Sequence, residues 1–270
     1  MTLSRGGLWI LRAAGIGILA YAVFGPLANL LIWSFAEAWF WPNKLPSQWG
    51  FRFWDYVFRP TGRAMEALTL SLLIAMLTVA LSLAVAVPAG YALARGRLPW
   101  RPIIMLAFLL PQAFPSLPVY INVARIFYGF GLNGTVTGVV LVHASHGLVF
   151  AVWIATAAFA AIDRELEHAA RNLGASALRT FLTVTLPLAT PGLIASAIFV
   201  FLESLDEFTG SFFVGAPEVR TLPLEMFTAS MGGNYQISSI TALILLVPSI
   251  AFMLVVERFL KGEVLAKVGA

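Results

Sequence analysis

Runs of about 18 or more apolar residues recur along this chain, each long enough to cross a bilayer as a helix. Hydrocarbon offers the backbone no hydrogen-bond partners, so only helices and closed barrels can span it. No stretch shows the alternating pattern of a membrane barrel strand, which leaves helices. Composition agrees: of 270 residues, 60% are hydrophobic and 11% charged, with a mean hydropathy of +0.87. A soluble domain carries roughly 25% charged residues. The expected fold class is therefore an all-α membrane protein, a multi-pass chain whose solvent is the lipid bilayer.

The pattern predicts six transmembrane helices, over about Leu11–Trp33, Ala67–Leu93, a third starting near Ile103, Thr135–Ala161, Leu188–Leu205 and Ile237–Val256. The first run is too long for a signal-peptide core and is followed by no small-x-small cleavage site, so it reads as a span. The third contains Pro111, Pro115 and Pro118, each of which removes a backbone donor and kinks a helix. Between the first two spans, Trp39, Trp41, Trp49, Trp54 and Tyr56 suit a headgroup-level loop or a short interfacial helix.

Charge placement sets the orientation. By this count 11 of the 17 Lys and Arg residues lie on one side: Arg5, Arg12, Arg95, Arg97, Arg101, Arg164, Arg171, Arg179, Arg258, Lys261 and Lys267. The positive-inside rule then puts both termini in the cytoplasm. The net charge of +4 comes from span ends rather than a basic stripe, so no nucleic acid partner is expected. Absence of Cys excludes thiolate metal sites, redox motifs and disulfides. His143 and His146, spaced i,i+3, read as polar residues tucked between packed helices ahead of any ligand role, and no metal site is expected.

One charged amphipathic segment interrupts the apolar pattern, Asp163–Phe181. Leu166, Ala169, Ala170 and Leu173 fall at i, i+3, i+4 and i+7, a narrow apolar face on a helix of about three turns. Gly174 closes it and Ser176 can cap the next helix. The segment predicts a helix, a sharp turn and a second helix, a rigid knob for a soluble partner to grip.

The pattern Ala169-Ala170, Gly174, then Val184-x-Leu186-Pro187 resembles the EAA loop of permease subunits of binding-protein-dependent ABC importers. His168 stands where that family usually has Glu, with Glu167 one place earlier. Downstream, Ser204-Leu-Asp-Glu-Phe208, Thr221-Leu-Pro223 and Glu257-Arg258 resemble the spermidine/putrescine-type branch and its opine and aminoalkylphosphonate relatives. The resemblance implies the type I ABC importer permease fold, with residues 1–270 as one permease domain and 163–181 as its coupling helix-turn-helix. Glu165, Glu167, His168, Ala169, Ala170, Arg171, Gly174 and Ala175 would couple to the ATPase. It also implies two ATP-binding subunits holding ATP and Mg, no cofactor on this chain, a second permease subunit (related rather than identical), a substrate-binding protein, and the bacterial inner membrane.

Glu203, Asp206 and Glu207 stand at i, i+3 and i+4 toward the outer part of the fifth span. Acids within a membrane face a bundle interior or water. They read equally as caps in the outer headgroup region or as a cation-attracting patch on a translocation path. Three carboxylates with no nearby base favour an amine-bearing solute, such as a polyamine, opine or aminophosphonate. Phe208, Asn234 and Tyr235 are candidates for the same pathway.

No phosphate-binding loop of the G-x-x-x-x-G-K-[ST] type occurs, so ATP hydrolysis is expected on a partner and this chain is read as non-catalytic. The alternative is a self-contained secondary transporter coupled to protons or sodium through the acids. It needs internal inverted repeats, which six unequal spans do not show. An intramembrane enzyme lacks any H-E-x-x-H or serine/histidine constellation.

Overall fold

The computed structural model describes residues 5–59 and 62–268; side chains at 5–8, 10, 11 and 255–268 are outside the description. The expectations for Arg5, Glu257-Arg258, Lys261 and Lys267 fall on those side chains. The elements, in order, are α1 (Arg5–Phe35), β1 (Ala36–Ala38), β2 (Gln48–Trp49), α2 (Arg52–Val57), α3 (Arg63–Arg95), α4 (Arg101–Ala113) and α5 (Ser116–Gly129). They continue with α6 (Val136–Ala160), α7 (Arg164–Asn172), α8 (Ala177–Thr180), α9 (Leu186–Asp206), α10 (Leu222–Met231) and α11 (Tyr235–Val268). Two compact units emerge, residues 1–65 with 225–244, and residues 66–224 with 245–270.

Among the described residues, five helices are long and apolar enough to span a membrane: Arg12–Phe35, Arg63–Arg95, Val136–Ala160, Ala177–Asp206 and Tyr235–Leu254. The sixth expected span is not a kinked helix. It is a pair, α4 and α5, bent by 95°. Phe114 at the break is extended (φ −104°, ψ 146°) and Pro115 caps α5. A residue before proline is driven out of the helical region, and proline itself has no amide to continue the ladder. Pro111 stays inside α4 and Pro118 enters the first turn of α5, so only the middle proline breaks the span.

In the smaller unit, the aromatic segment forms a short antiparallel β1–β2 pair and α2 rather than a plain loop. Trp33 meets Trp39 (4.4 Å between centroids) and Tyr235 (5.2 Å). The Glu37 carboxylate accepts the Arg52 amide at 3.1 Å. Ile16, Ile18, Leu19, Tyr21, Val23 and Phe24 of α1 are all exposed, as expected of side chains whose solvent is lipid.

In the larger unit, α6 is buried along most of its length. Its core comprises Ala86 and Leu93 of α3, Ala151, Val152, Ala155 and Phe159 of α6, and Ala189, Leu193 and Val200 of α9. Water contributes little between helices in lipid, so small residues that let backbones approach take over. A Cβ on Gly90 would come within 2.8 Å of Ala155 Cβ and 2.9 Å of the Thr156 amide. One on Gly147 would come within 2.9 Å of Val200 Cγ1. Gly90→Val is expected to force α3 off α6 and cost about 1–3 kcal/mol. A lowered melting midpoint in detergent checks it, and an unchanged midpoint refutes the close packing.

Candidate functional site

The charged segment folds as its sequence anticipates. Asp163 caps α7, its side chain accepting the Glu165 amide at 3.0 Å. Gly174 takes φ +90°, and the Ala175 amide returns to the Ala170 carbonyl at 3.1 Å, closing the helix in a left-handed turn. Ser176 caps α8, accepting the Arg179 amide at 3.3 Å. The second helix is the root of the fifth span itself: α8 runs through a π-helical turn at Phe181–Thr185 directly into α9.

The apolar stripe of α7 lies uncovered on this chain: Leu166 is 48% exposed, Leu173 90% and Leu178 of α8 68%. One expectation about this segment changes. Glu167, expected on the docking face, is instead buried. Its Oε1 receives Arg95 Nε at 3.1 Å and the Thr185 hydroxyl at 2.9 Å. The reason is spatial: Glu167 lies on the inner side of α7, opposite the last turn of α3. Glu165, His168, Ala169, Arg171 and Gly174 are exposed, and Ala170 and Ala175 half-buried.

The acids of the fifth span also separate. α9 ends at Asp206, and Glu207 is already extended (φ −71°, ψ 107°), so the expected common helical face stops short of it. Glu207 Oε1 receives the Gly210 amide at 2.6 Å, and Oε2 receives the Tyr120 hydroxyl at 3.3 Å. This carboxylate holds the turn after α9. Asp206 is exposed and Glu203 half-buried. Phe208 stacks near Phe212 at 5.6 Å.

The two histidines of α6 serve different partners. His143 is buried, with Nδ1 2.8 Å from Ser204 Oγ and Nε2 2.9 Å from Ser211 Oγ. It bridges α9 and the π-helical turn Ser211–Gly215, the helix-packing role anticipated for it. His146 pairs through Nδ1 with the Tyr120 hydroxyl, which also reaches Glu207. Tyr120, 1% exposed, carried no sequence signal of its own. Its position two residues past Pro118 in an apolar run looks like any other lipid-facing aromatic. Asn234 and Tyr235 lie in the other unit, at the start of α11, both exposed.

Comparison with known proteins places this architecture. Residues 86–262 match the family model described as binding-protein-dependent transport system inner membrane component. A putative ABC transporter permease protein of Streptomyces antibioticus is 32% identical over 191 residues, covering 70% of this chain and 83% of that relative. The trehalose transport system permease protein SugB of Mycobacterium tuberculosis is 30% identical over 198 residues, 72% of each chain. In fold, the chain is similar to a bacterial ABC transporter that imports alginate, with TM-score 0.71 at 18% identity over 96% of this chain and 99% of that one. The methionine transporter MetNI gives TM-score 0.59 at 17% identity, over 74% and 95%. Family, fold and span layout agree: the chain belongs to the inner-membrane components of binding-protein-dependent transport systems, as a multi-pass permease subunit of an ABC importer.

Proposed function

We propose that this chain forms half of a translocation pathway opened and closed by two ATP-binding subunits, and that its cargo is a small amine-bearing solute. The observation that carries the first part is the uncovered apolar tip around Gly174, where Leu166, Leu173 and Leu178 stand exposed. A capped helix and a left-handed turn hold this patch rigidly beside the polar residues Glu165, His168 and Arg171. Exposed apolar groups fixed on a stiff element are what a soluble partner's groove requires. ATP and Mg belong to that partner, whose closure would drive the spans between inward-open and outward-open states by alternating access. The other half of the pathway is a second permease subunit, related to this chain rather than identical, and a substrate-binding protein delivers the cargo.

The cargo reading rests on the acids of this chain and not on kinship, since one relative above is a trehalose permease. Of the three acids, Glu207 is engaged in the turn, which leaves Asp206 and Glu203 to attract a cation. This is the spermidine/putrescine-like reading, with opine and aminophosphonate cargoes in the same chemical class. Phe208, in the same unit as these acids, belongs to the proposed pathway. In proteoliposomes containing the whole importer, Glu203→Gln with Asp206→Asn is expected to raise KM for radiolabelled putrescine at least about tenfold, the loss expected for a charge-assisted contact. Equal KM values would remove the amine reading while leaving the permease assignment intact.

A further inference from the structure

The inner end of α3 and the coupling segment are joined by a single buried ion pair. Arg95, in the last turn of α3, has 10% of its side chain exposed, and Glu167 has 8%. The guanidinium works in two directions: Nε donates to Glu167 Oε1 at 3.1 Å, and a terminal nitrogen donates to the Ile162 carbonyl at 2.7 Å. The same carboxylate oxygen takes the Thr185 hydroxyl at 2.9 Å. Thr185 closes the π-helical turn from which α9 rises. A second tie runs alongside, from Arg164 to the Ala94 carbonyl at 3.2 Å. One oxygen atom therefore joins α7, α3 and the root of α9.

We propose that Arg95 and Glu167 are positioning residues of transport: their buried pair, with Thr185, makes α3 and α9 follow α7 when a partner displaces it. The inference rests on the reading of α7 as the ATPase-docking helix and gives that helix its inward linkage. A hydrophobic contact at this place would let α7 slide. A forked guanidinium bonded to a carboxylate and a carbonyl has one geometry only. Removing either partner leaves a buried charge without its counterpart, so the joint fails abruptly instead of loosening. Glu167 on this account contributes nothing to the docking face.

The chain contains no Cys, so one introduced thiol reports the state of the spans without knowledge of the cargo. The probe is Thr209→Cys, at the half-buried residue just past the end of α9, in the assembled importer, alkylated by a membrane-impermeant maleimide with and without ATP and vanadate. With Arg95 and Glu167 in place, nucleotide is expected to change the alkylation rate at least about fivefold, the lower range of site-to-site coupling. With Glu167→Gln or Arg95→Met added, the change should shrink below about twofold while the ATPase subunits still copurify and hydrolyse ATP. Arg95→Lys, which keeps the charge, should restore part of the response. Mere destabilisation would lower assembly and hydrolysis together. A full nucleotide response in Glu167→Gln overturns the proposal. So does loss of the ATPase subunits in both Glu167→Gln and the milder Thr185→Val, which would make Glu167 part of the docking surface. If the protein with Arg95 and Glu167 intact shows no response to nucleotide, the docking reading of α7 is what fails.

Discussion

Leu173→Asp is expected to leave the spans folded and to strip the ATPase subunits from the purified assembly. Leu173 is 90% exposed at the end of α7, so its own chain loses almost nothing when it is replaced. In a docked complex the same side chain would be desolvated. An acid in its place would cost at least about 2 kcal/mol, some thirtyfold in affinity, as at central residues of other interfaces. Copurification at matched expression reads the effect directly. Retention of the ATPase at wild-type ratio would show that the partner grips elsewhere. Gly174→Val attacks the same knob through the backbone. Nothing lies within 4 Å of a Cβ at Gly174, but its φ is +90°, so the penalty is conformational, about 1–3 kcal/mol. Weaker loss of the partner is expected there, because the turn can relax while Leu173 remains.

His143→Leu is the counterpart within the membrane, expected to damage the fold and spare docking. The imidazole satisfies Ser204 and Ser211 at once. Leucine would strand the Ser204 hydroxyl in a buried site, at about 1–3 kcal/mol, and leave Ser211 only its bond to the Glu207 carbonyl at 3.3 Å. At about 2–4 °C per kcal/mol for a large domain, the melting midpoint should fall by about 2–12 °C. His143→Gln, which can both donate and accept, should recover part of that. A leucine variant as stable as the original would mean that water replaces the imidazole and that the bridge is not needed.

Much of the fold was legible because lipid permits so few structures. Apolar length located four spans to within a turn or so, while the helix of the fifth starts at Ala177, well before the expected Leu188. Asp163, Gly174 and Ser176 marked the ends of α7 and α8 because capping depends on local chemistry alone. What stayed hidden was whatever depends on which side of a helix faces which neighbour. Glu167 and His168 are adjacent and both polar, yet one is buried against Arg95 and the other exposed. That choice is made by an α3 residue 72 positions away in sequence. Tyr120 was invisible for the same reason, since its partners His146 and Glu207 stand 26 and 87 positions away in sequence. The prolines announced an interruption of the third span, but three candidates in eight residues did not say which would break it.

The 95° break between α4 and α5 restricts what can surround it. With 13 residues, α4 reaches about 20 Å at 1.5 Å per residue, short of a hydrocarbon core of about 30 Å. Its last carbonyls and the first amides of α5 thus come to an end inside the slab, and residues 112–118 are exposed on this chain. Hydrocarbon cannot satisfy such groups; protein or water must. This flank of the subunit is therefore closed to lipid tails in the assembled importer.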